Sequence, residues 1–274
     1  MSRRLPVELV LGAAISLGVV AVALVSLVWT PHDPLAMDVA RRLLPPGPGG
    51  LFGTDAYGRD VLSMIMAGAR SALAVALAAA GLGLAVGAPM GLAAAALGGW
   101  VDDAIMRAND LVFAFPALLI AVMISALLGP GALNAVIAIG VFNMPVFARV
   151  TRSAAQGLWR RDFVSAARLA GKDRIAISLQ HIAPNLAGGL AIQGAIQLSL
   201  AVAADAALSY VGLGTQPPAP SWGRMLADAQ TLAAQAPWLA LVPGAAVVIT
   251  VLGLTLAGDG LAALLDPRRR DGEG

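Results

Sequence analysis

Six apolar runs, at residues 9–29, 71–97, 111–128, 132–150, 186–214 and 239–256, set the terms on which this chain can fold. Each approaches or exceeds the roughly 20 residues that carry a helix across the hydrocarbon of a bilayer. Hydrocarbon offers no partner to a backbone N–H or C=O, so a spanning segment must satisfy its own, as an α-helix does. Only 12% of the residues are charged and 58% are hydrophobic, where a soluble domain has about 25% charged. A single soluble core cannot bury that much apolar surface, so the solvent is lipid. The expected fold class is an all-α integral membrane protein with six transmembrane helices.

Several function classes drop out at once. The isoelectric point near 9.7 raises nucleic acid as a partner, but the bases cluster at the edges of apolar runs, which is a topology signal. No nucleic-acid partner is expected. The chain has no cysteine and only two histidines, His32 and His181. That removes disulfides, thiolate metal sites, cysteine nucleophiles and multi-histidine metal centres. The glycines around residues 81–91 lack a following Lys-Ser/Thr, so they are no phosphate-binding loop. No Ser-His, HExxH or paired-Asp constellation stands out. The chain is not expected to be an enzyme, and no cofactor or metal is expected. Ser2-Arg3-Arg4 suggests an export signal, but the run behind it is too long and no small-x-small cleavage site follows. It reads as a first membrane helix with its N-terminus inside.

The most basic interruption is residues 160–185, RRDFVSAARLAGKDRIAISLQHIAPN. Counted from the edge of the preceding run, Arg149, Arg152, Arg160, Arg161, Arg168, Lys172 and Arg174 face only Asp162 and Asp173. Phe163, Ala166, Ala167 and Ala170 recur at i, i+3, i+4, i+7, one face of a helix. Gly171 stops that helix. Asp173 caps a second one, with Ile175, Leu179 and Ile182 as its apolar stripe, and Pro184 ends it. The expectation is helix, glycine turn, helix, with Arg161 and Arg168 on a basic outer face. With six spans and both termini inside, thirteen of the eighteen bases share the inner side with this hairpin. Arg41, Arg42, Arg59, Arg70 and Arg224 remain outside, an asymmetry that fits a cytoplasmic hairpin.

Residues 31–50 hold five prolines and read as irregular structure on the outer side. They lead into GTDAYGRDVLS, residues 53–63, dense in turn formers, with internal Arg59–Asp pairing and a helix start at Asp60. In residues 71–97, Gly81-x-Gly83 and Gly87-x-x-x-Gly91 suit close helix approach. Residues 98–110 read as a short polar break carrying Asp102, Asp103, Arg107 and Asp110, and Gly129-Pro130-Gly131 as a tight outer turn. Asn143, Pro145, Gln193, Gln197 and Asp205 interrupt apolar runs. Such groups persist in a membrane only where they face protein or water. An ionised Asp at mid-membrane costs about 2.5–3.5 kcal/mol on insertion scales. Asn143, Gln193, Gln197 and Asp205 are therefore the pathway or gating candidates.

The spacing Ser165-Ala166-Ala167, three residues, Gly171, then Ile182-Ala183-Pro184 resembles the EAA loop of ABC importer permeases. Ser165 stands where that family usually has Glu, and Ala183 where it has Leu. The GTD-x-x-GRDV-x-S segment resembles the opening of the shared region in the peptide-type branch. Asp205 and the Leu208-Ser209-Tyr210-Val211-Gly212-Leu213-Gly214 run that follows, then QPPAPSWGRML at residues 216–226, and the Gly258-Asp259 and Leu265-Asp266-Pro267 elements are similar to that branch in the same order. The kind resembled is the dipeptide/oligopeptide permease of "C" type.

The resemblance implies a type I ABC importer permease fold, with the loop at 160–185 acting as the coupling element to an ATP-hydrolysing subunit. Carried over residue by residue, the coupling positions are Phe163, Ser165, Ala166, Ala167, Arg168, Gly171, Lys172 and Pro184. Gly53, Asp55, Gly58, Arg59, Asp60, Trp222 and Gly223 carry structural motif positions. The implied location is a bacterial inner membrane. The implied partners are a second related permease, two ATPase subunits and an extracytoplasmic solute-binding protein. Residues 1–68 form the first helix and an outer segment, 69–267 the permease domain and 268–274 an inner tail. The implied cargo is a peptide or similar small solute, with nickel, glutathione or sugars as alternatives. A different reading is an ion-coupled secondary transporter using Asp205, but the inverted repeats of such folds are not visible.

Overall fold

The structure, a computed structural model, describes residues 6–47 and 50–265. Ser2, Arg3, Arg4, Pro48, Gly49, Asp266, Pro267, Arg268, Arg269 and Arg270 lie outside the described residues. The described chain is helical, without a strand. Its helices are α1 (Val7–Val25), α2 (Val61–Leu97), α3 (Gly99–Ala114), α4 (Ala117–Leu128), α5 (Ala132–Trp159), α6 (Asp162–Leu169), α7 (Arg174–Ile177), α8 (Ala183–Tyr210), α9 (Trp222–Ala229) and α10 (Trp238–Leu265). Five stretches are long and apolar enough to cross a membrane, and α3 with α4 makes a sixth if that bent pair is one span.

α2 organises the bundle. It starts at Val61, well before the expected apolar run, because Asp60 caps it. The Asp60 carboxylate accepts the Ser63 backbone N–H at 2.8 Å and the Ser63 hydroxyl at 2.6 Å. The boundary expected at residue 68 therefore falls inside one helix. Its 37 residues, at about 1.5 Å rise each, outreach the roughly 30 Å of hydrocarbon. The broadest contact of α2 is with α5. Gly83, Gly87 and Gly91 line it: a Cβ on each would strike Asn143, Met144 and Ala148 of α5. Small residues thus bring the two backbones together. Gly81 of the expected pair faces open space instead.

Two expectations are corrected here. Residues 98–110 are not a polar break: they form most of α3. The third span is not one straight helix at 111–128 either, for α3 and α4 meet at 85°. The cause is Pro116, which holds Phe115 in an extended conformation (φ −98°, ψ 135°) and has no N–H for the ladder.

The main core lies where α2, α5, α8, α9 and α10 meet, around Val61, Ala76, Val202 and Trp222. α1 packs on α10 and is otherwise largely exposed.

Candidate functional site

The hairpin at 160–185 has a small core of its own. Val164 and Ala167 of α6 close on Ile177, Ile182, Leu186 and Ala155, with Leu92 and Ala95 of α2 packed against them. The expected apolar face of Phe163, Ala166, Ala167 and Ala170 is thus divided. Ala167 turns inward with Val164, while Phe163, Ala166 and Ala170 stay exposed. The second stripe divides in the same way, with Ile182 buried and Ile175 and Leu179 exposed. The reason is that the hairpin has two apolar sides, so an apolar period alone does not say which is inner. Leu169, which the apolar period passed over, is 91% exposed at the tip of α6.

α6 ends in a Schellman turn. Lys172 N–H donates to Ala167 O at 3.1 Å and Gly171 N–H to Arg168 O at 2.9 Å. Gly171 takes φ +79° with no atom near its missing Cβ, so it is needed there for conformation and not for room. Asp173 caps α7, accepting the Ala176 N–H at 2.7 Å. Pro184 does not end the second helix. A π turn at Ser178–Ile182, in which Ala183 N–H donates to Ser178 O, feeds directly into α8. The wider turn removes the need for the bond that proline cannot make.

Charged and aromatic groups brace the hairpin. Lys172 Nζ donates to Gln180 Oε1 at 2.8 Å and lies 2.9 Å from His181 Nε2. The His181 ring is 6.5 Å from that of Phe163. Arg168 stacks over Trp159 at 5.3 Å. Ser165 is exposed. Among the described residues, two of the seven bases of this region are ion-paired. Arg152 pairs with Asp102, and Arg149 with Asp110, tying α5 to α3. Arg149 also lies over the Phe113 ring at 4.5 Å. The signal was in the sequence, as opposite charges on neighbouring helical segments, but the pairing was not.

The pathway candidates fall in two groups. Asn143, Gln197 and Asp205 are buried within this chain, and Gln193 is half-buried. Asn143 sits against Gly83 in the α2–α5 contact, with its Nδ2 unpaired, and one oxygen of Asp205, Oδ1, is also unpaired.

At the other end of α2, residues 53–63 form a knot. Asp55 accepts from Tyr57 N–H at 2.8 Å, Arg59 N–H at 2.9 Å and Arg59 Nε at 2.7 Å. Thr54 hydroxyl donates to Arg41 O and accepts from Leu44 N–H. Gly58, at φ +76°, leaves space for the Asp38 carbonyl that any side chain would strike. A Cβ on Gly53 would meet Leu44 O, and Trp238 Nε1 donates to Thr54 O at 3.3 Å. Nearby, Trp222 donates from Nε1 to Ile65 O at 3.1 Å, its ring filling the notch over Gly68. Gly223 lets α9 lie on the Ala206 carbonyl of α8. These motif residues tie segments together, as turn formers and small residues do; none presents reactive chemistry.

With this geometry in hand, the comparisons with known proteins are specific. Residues 87–271 match the family described as binding-protein-dependent transport system inner membrane component. The dipeptide transport system permease protein DppC of Alkalihalophilus pseudofirmus is 36% identical over 95% of this chain and 86% of its own length. The di/tripeptide transport system permease protein DppC of Pseudomonas aeruginosa is 39% identical over 88% of this chain and 82% of its own. Among solved structures, a chain of the MetNI methionine ABC transporter in an inward-facing conformation superposes with a TM-score of 0.61 and 21% identity, covering 74% of this chain and 97% of that one. That likeness establishes the fold, the helical architecture of an ABC transporter permease, here with five candidate spans, or six if the bent α3–α4 pair is one. The ion-coupled alternative at Asp205 finds no support among these matches. On residues 87–271 and on relatives matched along most of its length, the chain belongs to the binding-protein-dependent transport system inner membrane component family.

Proposed function

We propose that this chain forms half of a translocation pathway for peptides in an inner membrane, with the hairpin at 160–185 on the cytoplasmic side as its coupling element. ATP is hydrolysed by two separate subunits, one of which docks on the hairpin. A second, related permease completes the pathway, and an extracytoplasmic solute-binding protein delivers cargo to the end that carries the residue 53–63 knot. The transport domain begins with α2 at Val61 and runs through α10, so the boundary expected at residue 68 moves back to the helix start. The observation that carries the reading is the divided hairpin. Its own core is closed by Val164 and Ala167, yet Phe163, Leu169, Ile175 and Leu179 remain 40%, 91%, 70% and 63% exposed. Four large apolar side chains left exposed on one short hairpin that is otherwise basic support a protein contact there. Ala166 and Ala170 are exposed as well and add only small side chains to this surface. Peptide as cargo is supported by the names of the two relatives above.

The chain is free of cysteine, so single cysteines report cleanly. Ala166→Cys should crosslink to a cysteine in the cleft of a co-expressed ATPase subunit. If no crosslink forms there while one placed at Asp103 on α3 does form, the docking surface is elsewhere. Uptake of dialanine by the reconstituted complex tests the cargo.

A further inference from the structure

A helix leaves its last carbonyls without intrahelical partners. At the end of α2, two of these, Ala96 O and Leu97 O, accept from Nη1 of Arg174 at 3.0 and 3.3 Å. A cation there also meets the negative end of the helix dipole. Arg174 is the first residue of α7, so the bond joins the hairpin to a helix far back in the chain. Of the bases between residues 160 and 185, it is the one whose hydrogen bonds leave the hairpin, among the described residues. Leu92 and Ala95 of α2 pack into the hairpin core one turn away. At its other end α2 is equally held. Asp60 caps it, His32 N–H donates to Ser63 Oγ at 3.0 Å, and Trp238 ties α10 to Thr54 of the knot. Between these anchors α2 runs as one helix of 37 residues, through Pro89.

We propose that Arg174 is a positioning residue for transport: it clasps the end of α2 so that the hairpin and α2 move as one body. Force delivered to the hairpin then reaches the knot at the opposite end of the bundle along a single rod. This rests on the reading of the hairpin as the ATPase docking element. Arginine suits the task because its planar, multi-donor guanidinium holds an orientation on the helix end that the point charge of a lysine does not.

The test uses the complete transporter in lipid nanodiscs. Cysteines replace Leu97, at the end of α2, and Asp162, on the hairpin, and carry spin labels. In the otherwise native chain the distance between them should be the same with and without a non-hydrolysable ATP analogue. Arg174→Ala should broaden that distance and make it depend on nucleotide. ATP hydrolysed per dialanine moved should rise about three- to ten-fold, the scale of losing one or two such hydrogen bonds, while the ATPases still co-purify. Arg174→Lys should fall between. A native distance that changes with nucleotide overturns the proposal, and so does an Arg174→Ala complex with unchanged distance and unchanged ATP use. The native measurement decides even if Arg174→Ala fails to assemble. Failure of the Ala166→Cys crosslink would instead remove the docking reading, so the two failures are separate.

Discussion

Arg152 grips Asp102 with two parallel contacts, Nε to Oδ1 and Nη2 to Oδ2, across the α5–α3 contact. Asp102 is buried and Arg152 about one-third exposed. The fork geometry lets one guanidinium satisfy a whole carboxylate. Arg152→Gln leaves that carboxylate without its charge partner and should cost about 2 kcal/mol of stability. Thermal unfolding in detergent measures it. The Asp102→Asn, Arg152→Gln double variant should lose less than the two single losses added; strict additivity would show that the pair is not coupled.

Gly171 is held at φ +79° in open space. A side chain there meets backbone strain and no clash, at about 1–2 kcal/mol. Gly171→Val should let the complex assemble and hydrolyse ATP while moving less cargo. Gly171→Asn should keep most transport, because asparagine tolerates the left-handed region. Equal damage from Asn and Val would point to a contact with a partner instead of conformation. Ser165→Glu should be tolerated, as Ser165 is exposed.

Trp222 and Gly68 fit as ring and notch. Gly68→Val should displace the Trp222 ring and lower the unfolding temperature sharply, since overpacking costs about 1–3 kcal/mol. Trp222→Phe keeps most of the ring volume and loses the bond to Ile65 O, at about 1 kcal/mol. The ordering Gly68→Val worse than Trp222→Phe is the checkable outcome in a melting series.

Asp205 is only 2% exposed, inside α8. Asp205→Asn keeps the shape and removes the ability to ionise. Assembly should survive, and transport across a pH series should keep its native profile. Abolished transport together with a lost pH dependence would restore the ion-coupled alternative.

The sequence by itself determined the solvent, the order of the membrane segments and the local devices that start and stop them. Asp60, Asp173 and Gly171 were legible because capping and left-handed turns depend on residues a few positions apart. Pro116 and Pro184 were harder for the same local reason seen twice. A proline removes one bond, but the surroundings decide whether the chain bends, as at α3–α4, or widens into a π turn and continues, as into α8. Only the tertiary structure decided the faces. In lipid, a helix that is apolar all round carries no period to separate core from solvent, and the hairpin, apolar on two sides, carried a misleading one. The partners of Arg149, Arg152 and Arg174 were decided there too. Charge is a long-range signal without an address, and packing α2, α3 and α5 side by side is what brings each guanidinium to its carboxylate or helix end.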